Sequence, residues 1–206
     1  MKAEFLLSYL DELYPFASCE LNYTKDYELL IATVLSAQCT DRRVNMVTKE
    51  LWAHYDINSL SKASSKDIEK IIHSLGNSHK KANYIIDIAK RLVNECDGKV
   101  INNREYLESL PGVGRKTCNV VLSNLFNVEA IAVDTHVERV SKRLKLAYMK
   151  DDVYTVERKL MKKFPKSRWS KLHHQMVLFG RYNCKAVKPL CLDCKLKSYC
   201  RYYKSM

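Results

Sequence analysis

Lys116 and Asp134 are the side chains in this sequence whose type and setting could carry covalent chemistry. Lys116 stands in the run Leu110-Pro111-Gly112-Val113-Gly114-Arg115-Lys116-Thr117. A neutral lysine amine is a nucleophile that forms Schiff bases with carbonyl carbons. The spacing predicts that Lys116 lies in the first turn of a helix, where the helix dipole disfavours an ammonium. Arg115 adds a like charge, and partial burial would favour the neutral amine further. Asp134, in Val133-Asp134-Thr135-His136, precedes a predicted helix over 135–146, where a carboxylate caps backbone N–H groups. A helix over 115–126 rises about 18 Å. The extended chain that follows it reaches up to about 27 Å. Asp134 can therefore return to the level of Lys116.

The glycines between these helices suit a second task. Gly112 and Gly114 permit unusual backbone angles and let another backbone approach closely. Their N–H groups, with those of the following helix start at Arg115 and Thr117, can bind a phosphate. Such a contact positions a nucleic acid without reading its sequence. A nucleotide-binding P-loop is excluded. It needs Gly immediately before the Lys and a strand before the glycines, whereas Arg115 precedes Lys116 and the apolar stripe Tyr106, Leu107 and Leu110 predicts a helix before the turn.

A third chemistry resides in the spacing Cys184-x6-Cys191-x2-Cys194-x5-Cys200. Four thiolates can bind zinc or an iron–sulfur cluster. Zinc ribbons usually present two Cys-x2-Cys pairs, and only one occurs here. Cys19, Cys39, Cys96 and Cys118 are scattered and read as buried thiols.

These residues must be positioned by helices. Apolar residues recur at helical spacing in Tyr27, Leu30, Ile31, Val34 and Leu35, and again in Val44, Val47 and Leu51. Ile68, Ile71, Ile72 and Leu75 form a stripe opened by Ser64 and closed by Gly76. Ile85, Ile88, Ala89 and Leu92 form another, closed by Gly98. Later stripes are Val153, Val156 and Leu160, stopped before Pro165, and Trp169, Leu172, Met176 and Phe179. Only 130–133 suggests a short extended segment. The fold class is all-α, with about ten helices. Residues 21–129 read as one helical domain, and the cysteine block organises a second.

Composition narrows the partner. The 206 residues carry a net charge of +12, which favours a polyanion, with nucleic acid first. No secretory signal, lipidation signal or run of roughly 20 apolar residues is present. A cytoplasmic, reducing setting is expected, in which the eight cysteines are thiols or metal ligands rather than disulfides.

Four segments together carry a specific resemblance. They are Leu35-Ser36-Ala37-Gln38-Cys39-Thr40-Asp41, the hairpin at 110–117, Val133-Asp134-Thr135-His136-Val137, and the cysteine block after Gly180-Arg181-Tyr182. In these the chain resembles the endonuclease III family of DNA glycosylases, within the helix-hairpin-helix superfamily. The resemblance implies a six-helix barrel domain, 21–129, packed against an iron–sulfur cluster domain formed by 1–20 and 130–206. It implies Lys116 as Schiff-base nucleophile and Asp134 as its acidic partner. It assigns Gln38 to the space left by an extruded base. The implied activity is excision of oxidised pyrimidines from double-stranded DNA and β-elimination at abasic sites, by a monomer associated with the nucleoid.

The cysteine spacing matches that family's [4Fe–4S] motif, and Lys185 and Lys188, between the first two cysteines, would contact phosphates. Adenine-removing relatives lack a lysine at the position of Lys116, which sets them aside. Family members often carry bulky apolar residues after the glycine matching Gly76, as a wedge in the duplex; here Asn77-Ser78-His79 follow. His136 belongs to the motif with a structural or phosphate-facing role. His54, His73, His79, His173 and His174 show no ligand spacing and read as surface or satisfied residues. A non-catalytic DNA-binding module would need neither Lys116 nor Asp134, and an electron carrier would need neither the charge nor the hairpin.

Overall fold

The structure is a computed structural model describing residues 2–205. Among these the α-helices are α1 (Ala3–Leu13), α2 (Asp26–Leu35), α3 (Asp41–His54), α4 (Ile57–Ser61), α5 (Ser65–Ile72), α6 (Ser78–Cys96), α7 (Arg104–Glu108), α8 (Arg115–Phe126), α9 (Thr135–Arg143), α10 (Val153–Lys163), α11 (Trp169–Leu178) and α12 (Arg201–Lys204). No strand occurs among the described residues. The chain divides into two compact units, one of residues 19–127 and one of residues 1–18 with 128–206.

In the first unit α2 is the central element. Every residue from Tyr27 to Leu35 is buried, which explains why its apolar run extends beyond one stripe. Its start is fixed from within: the Glu28 carboxylate accepts from the Thr24 and Lys25 N–H groups at 2.6 and 3.2 Å. The Asp26 carboxylate accepts from Val100 N–H at 2.7 Å. Helices α3, α6 and α8 pack on α2, and α4 and α5 pack on α6. Ser64 is the N-cap of α5 but makes no side-chain cap. Helix α4, whose five residues are too short to show periodicity, is held by a capping box between Asp56 and Ser59.

The second unit gathers Leu6 and Leu10 of α1 with Val137 and Val140 of α9, Val156 and Leu160 of α10, Leu172 and Met176 of α11, and Phe179. Asp11 ties α1 to the α11 region. It accepts from Arg168 at 2.8 Å, Lys171 at 2.8 Å and Gln175 at 2.9 Å. Burial alone would raise its carboxyl, but these donors outweigh burial and hold it at about 2.

Several local expectations are corrected. Residues 130–133 form no strand; all four are buried, and with no partner strand their apolar character serves packing alone. Helix α9 ends at Arg143 rather than 146, because Lys145 takes a left-handed φ of 59°. Of the two alternatives expected for His173 and His174, surface or satisfied, the surface one is excluded: both are buried, with ring centroids 4.8 Å apart. Burial pushes His174 down to about 4, so it is neutral at physiological pH. Of the scattered cysteines only Cys118 is buried; Cys19, Cys39 and Cys96 are half-buried.

Candidate nucleic-acid interface and catalytic residues

The hairpin is anchored by two apolar side chains. Leu110 and Val113 are buried, and the Val113 N–H closes the turn on the Leu110 carbonyl at 3.1 Å. Between them Gly112 has φ +76°, and a Cβ there would lie 2.7 Å from the Tyr84 ring and 3.1 Å from Val34. Only glycine fits. Gly114 corrects the expectation of unusual backbone angles at both glycines. Its φ of −96° and ψ of −179° are extended geometry open to any residue, and a Cβ there would meet nothing within 4 Å. The space beside Gly114 is open, and no side chain caps the start of α8.

Arg115 and Lys116 follow in the first turn and are exposed, while Cys118, Val121 and Leu122 turn the opposite face into the core. The partial burial considered for Lys116 is thus absent. The amphipathicity of α8 instead presents the amine outward on a rigid first turn. Thr117 is half-buried.

Two loops of the same unit carry strained backbone. Gln38, exposed after α2, has φ 58°; Gly76 and Asn77, before α6, have φ 59° and 49°. Non-glycine residues in this region persist only when their surroundings enforce it. Lys81, 6% exposed, supplies part of that enforcement. Its ammonium donates to the Leu75 carbonyl at 2.7 Å, the Ala37 carbonyl at 2.9 Å and Cys39 Sγ at 3.4 Å. The Cys39 thiol in turn donates to Leu75 O at 2.8 Å. Nothing in the sequence marks this lysine, since a lysine on a helix ordinarily reads as solvated.

In the other unit Asp134 is the N-cap of α9. Both of its caps fall on one oxygen: Oδ1 accepts from His136 N–H at 2.9 Å and Val137 N–H at 2.8 Å. His136 is pushed down by burial, then by the Arg139 and Arg181 cations, against the opposing pull of Asp134. Arg139 Nη2 lies 3.2 Å from His136 Nδ1. A guanidinium only donates, so Nδ1 accepts and the neutral ring carries its proton on Nε2.

Arg139 and Arg143, one turn apart on α9, fasten the start of the cysteine loop. Arg139 donates to the Gly180 carbonyl at 2.7 Å and the Cys184 carbonyl at 3.2 Å. Arg143 donates to Lys185 O at 2.7 Å, Ala186 O at 3.3 Å and Cys184 Sγ at 3.3 Å, and its guanidinium lies 4.0 Å over the Tyr202 ring. Gly180 lets α9 come this close, because a Cβ there would sit 2.8 Å from the His136 Cβ. The two arginines were hidden in the sequence; their i, i+4 spacing one turn past Asp134 was the available signal.

Cys184, Cys191, Cys194 and Cys200 line one pocket with Leu144, Phe179 and Tyr203. All four are free thiols. Burial raises Cys191 and Cys194, and neighbouring cysteines of the set raise them further. Among the described residues no three Cys, His, Asp or Glu groups gather closely enough to hold a single metal ion. Lys185 and Lys188, on the loop that opens this pocket, are exposed, and Lys188 has φ 49°.

Residues 31–166 match the family described as HhH-GPD superfamily base excision DNA repair protein. Endonuclease III of Bacillus subtilis (strain 168) is 47% identical over 96% of this chain and 91% of its own length. The chain belongs to the endonuclease III family. Endonuclease III of Escherichia coli (strain K12) is 40% identical over 96% of this chain and 93% of its own. Among solved structures, a non-covalent endonuclease III–DNA complex superposes with a TM-score of 0.95 at 47% identity, over 98% of this chain and 95% of the other. A trapped endonuclease III–DNA covalent intermediate superposes with a TM-score of 0.94 at the same identity and coverage. A thermostable thymine-DNA glycosylase, 22% identical with a TM-score of 0.86 over 98% of this chain and 97% of its own, shares the fold.

Proposed function

We propose that this base excision repair DNA glycosylase and abasic-site lyase removes oxidised pyrimidines from duplex DNA through a Schiff base on Lys116. The observation that carries the reading is the exposed amine of Lys116 on the first turn after the hairpin, in a chain 47% identical to a protein trapped covalently on DNA. A base buried in a duplex must leave the stack before its sugar can be attacked. The N–H groups around Gly112 and Gly114, with those of Arg115 and Thr117, hold a phosphate and fix the duplex. Lys185 and Lys188 hold phosphates elsewhere on the strand. Gln38 enters the gap left by the base.

Asp134 keeps Oδ1 on its two caps, so Oδ2 serves the reaction. It stabilises the oxocarbenium-like sugar; the Lys116 ammonium first gives a proton to water, and the neutral amine is the nucleophile. Lys116 Nζ bonds to C1′ as the C1′–N bond breaks, and the base leaves with a proton. Opening of the C1′–O4′ bond gives the Schiff base. Loss of a C2′ proton then expels the 3′ phosphate, and water releases the sugar remnant from Lys116. The neutral His136 ring, fixed by Arg139, orients the start of α9 around Asp134.

The donor set of the cysteine pocket fits a [4Fe–4S] cluster, held by Cys184, Cys191, Cys194 and Cys200. Each thiolate takes a different iron, so the sulfurs need only ring the pocket. When bound, the cluster braces the loop that carries Lys185 and Lys188; four thiolates around a 2+ core leave the net charge near about +10. The reading places a monomer in the cytoplasm, on nucleoid DNA. No helix among the described residues is long and apolar enough to cross a membrane.

The test is Lys116→Ala on duplexes carrying thymine glycol or an abasic site. Base removal and strand cleavage are both expected to be lost while duplex binding persists. Strand cleavage that survives the substitution would remove Lys116 from the mechanism.

A further inference from the structure

Lys81 is a cation withdrawn from solvent, and all three of its ammonium protons are used inside the protein. The partners lie on two loops far apart in sequence. Ala37 and Cys39 flank Gln38 on either side. Leu75 immediately precedes Gly76 and Asn77. The backbone N–H of Lys81 also closes on the Asn77 carbonyl at 3.0 Å. One residue therefore binds both strained loops, and a second tie, Arg43 to the Ser74 carbonyl at 3.4 Å, runs between the same segments. Gln38, Gly76 and Asn77 all hold positive φ and are exposed. The conformations of Gln38 and Asn77 carry a cost that the fold retains only if something over-determines them. The glycine at 76, with φ 59° and ψ 149°, occupies a region that is essentially closed to other residues.

We propose that Lys81 is a positioning residue for base extrusion, locking the Gln38 tip and the Asn77 tip in a fixed mutual arrangement so that both enter the duplex together. This rests on the reading of Gln38 and of the segment after Gly76 as the parts that probe the duplex. Lys81 itself touches no substrate, because its ammonium is buried. Asn77 is a small polar tip. A small tip gains less from contact with the bases, so rigid placement must carry more of the work of opening the stack. An abasic site has no base to displace. Chemistry at that site therefore depends on Lys116 and Asp134 and far less on the two tips.

The experiment compares single-turnover rates on two duplexes, one carrying thymine glycol and one a preformed abasic site. Lys81→Met, of similar length and without donors, is expected to slow base removal at least tenfold more than abasic-site cleavage. Lys81→Arg, which keeps a cationic donor, is expected to recover part of that difference. Parallel loss of both activities would reduce Lys81 to a general stabilising role and overturn the proposal, as would no loss of either. If Lys81→Met does not fold, Lys81→Gln and Lys81→Arg decide by the same ratio. Gln38→Ala separates the two levels of the argument. It is expected to show the same selective loss. A Gln38→Ala protein with wild-type rates on both duplexes would overturn the duplex-probing reading itself. A selective loss there, without one in the Lys81 variants, would overturn only the role of Lys81.

Discussion

A methyl group added at Gly112 meets the Tyr84 ring at 2.7 Å and sits on a residue with φ +76°; one added at Gly114 meets nothing within 4 Å. The two glycines of the hairpin thus answer to different demands. Gly112→Ala is expected to cost about 2–5 kcal/mol, from roughly 1–2 kcal/mol of left-handed backbone strain and about 1–3 kcal/mol of crowding. Gly114→Ala is expected to leave stability within about 0.5 kcal/mol yet weaken duplex binding, because its Cβ fills the space a phosphate would enter. Urea denaturation and binding to an uncleavable duplex check both; equal loss of stability in the two variants contradicts the distinction. Lys116, Asp134 and Gly112 were legible because each sits at a motif with local rules for turns and caps. Lys81, Arg139 and Arg143 were not. They act on backbone carbonyls brought near by folding, and a carbonyl leaves no mark on the side-chain pattern.

At the scale of elements, most helices were written in their apolar stripes, including α8, whose buried Cys118, Val121 and Leu122 aim Lys116 outward. What was left unread or misread falls where periodicity has no hold. Helix α4 is shorter than two turns, and 130–133 is buried on every side chain, so its pattern speaks of packing and not of strand pairing. Ion pairs between elements were equally invisible. Asp11 joins α1 to Arg168, Lys171 and Gln175, with its carboxyl held at about 2 against an ordinary 3.8. A carboxyl lowered by folding contributes stability that is complete above its ordinary value and is lost as pH falls toward the folded one. Asp11→Asn should therefore melt below the parent by a constant margin from pH 7 to about pH 4, and the margin should shrink from about pH 4 downward. A margin that stays the same at pH 3 would show that Asp11 acts without its charge.

For the whole molecule, the net charge of +12 pointed to a polyanion, and the order of hairpin, Asp134 motif and cysteine block pointed to one family. Each unit contributes its own part. Residues 19–127 hold the hairpin, Lys116 and the two loops joined by Lys81, and the remainder holds Asp134, the arginines of α9 and the cysteine pocket. The account stands on covalent chemistry at one amine. The most direct measurement is borohydride reduction during reaction with an abasic-site duplex and a thymine-glycol duplex, followed by mass mapping of the cross-linked peptide. Cross-linking on both duplexes, located at Lys116 and absent from Lys116→Ala, is the predicted result. A protein that cleaves the strand with no cross-link, or one joined to DNA through another residue, would contradict it.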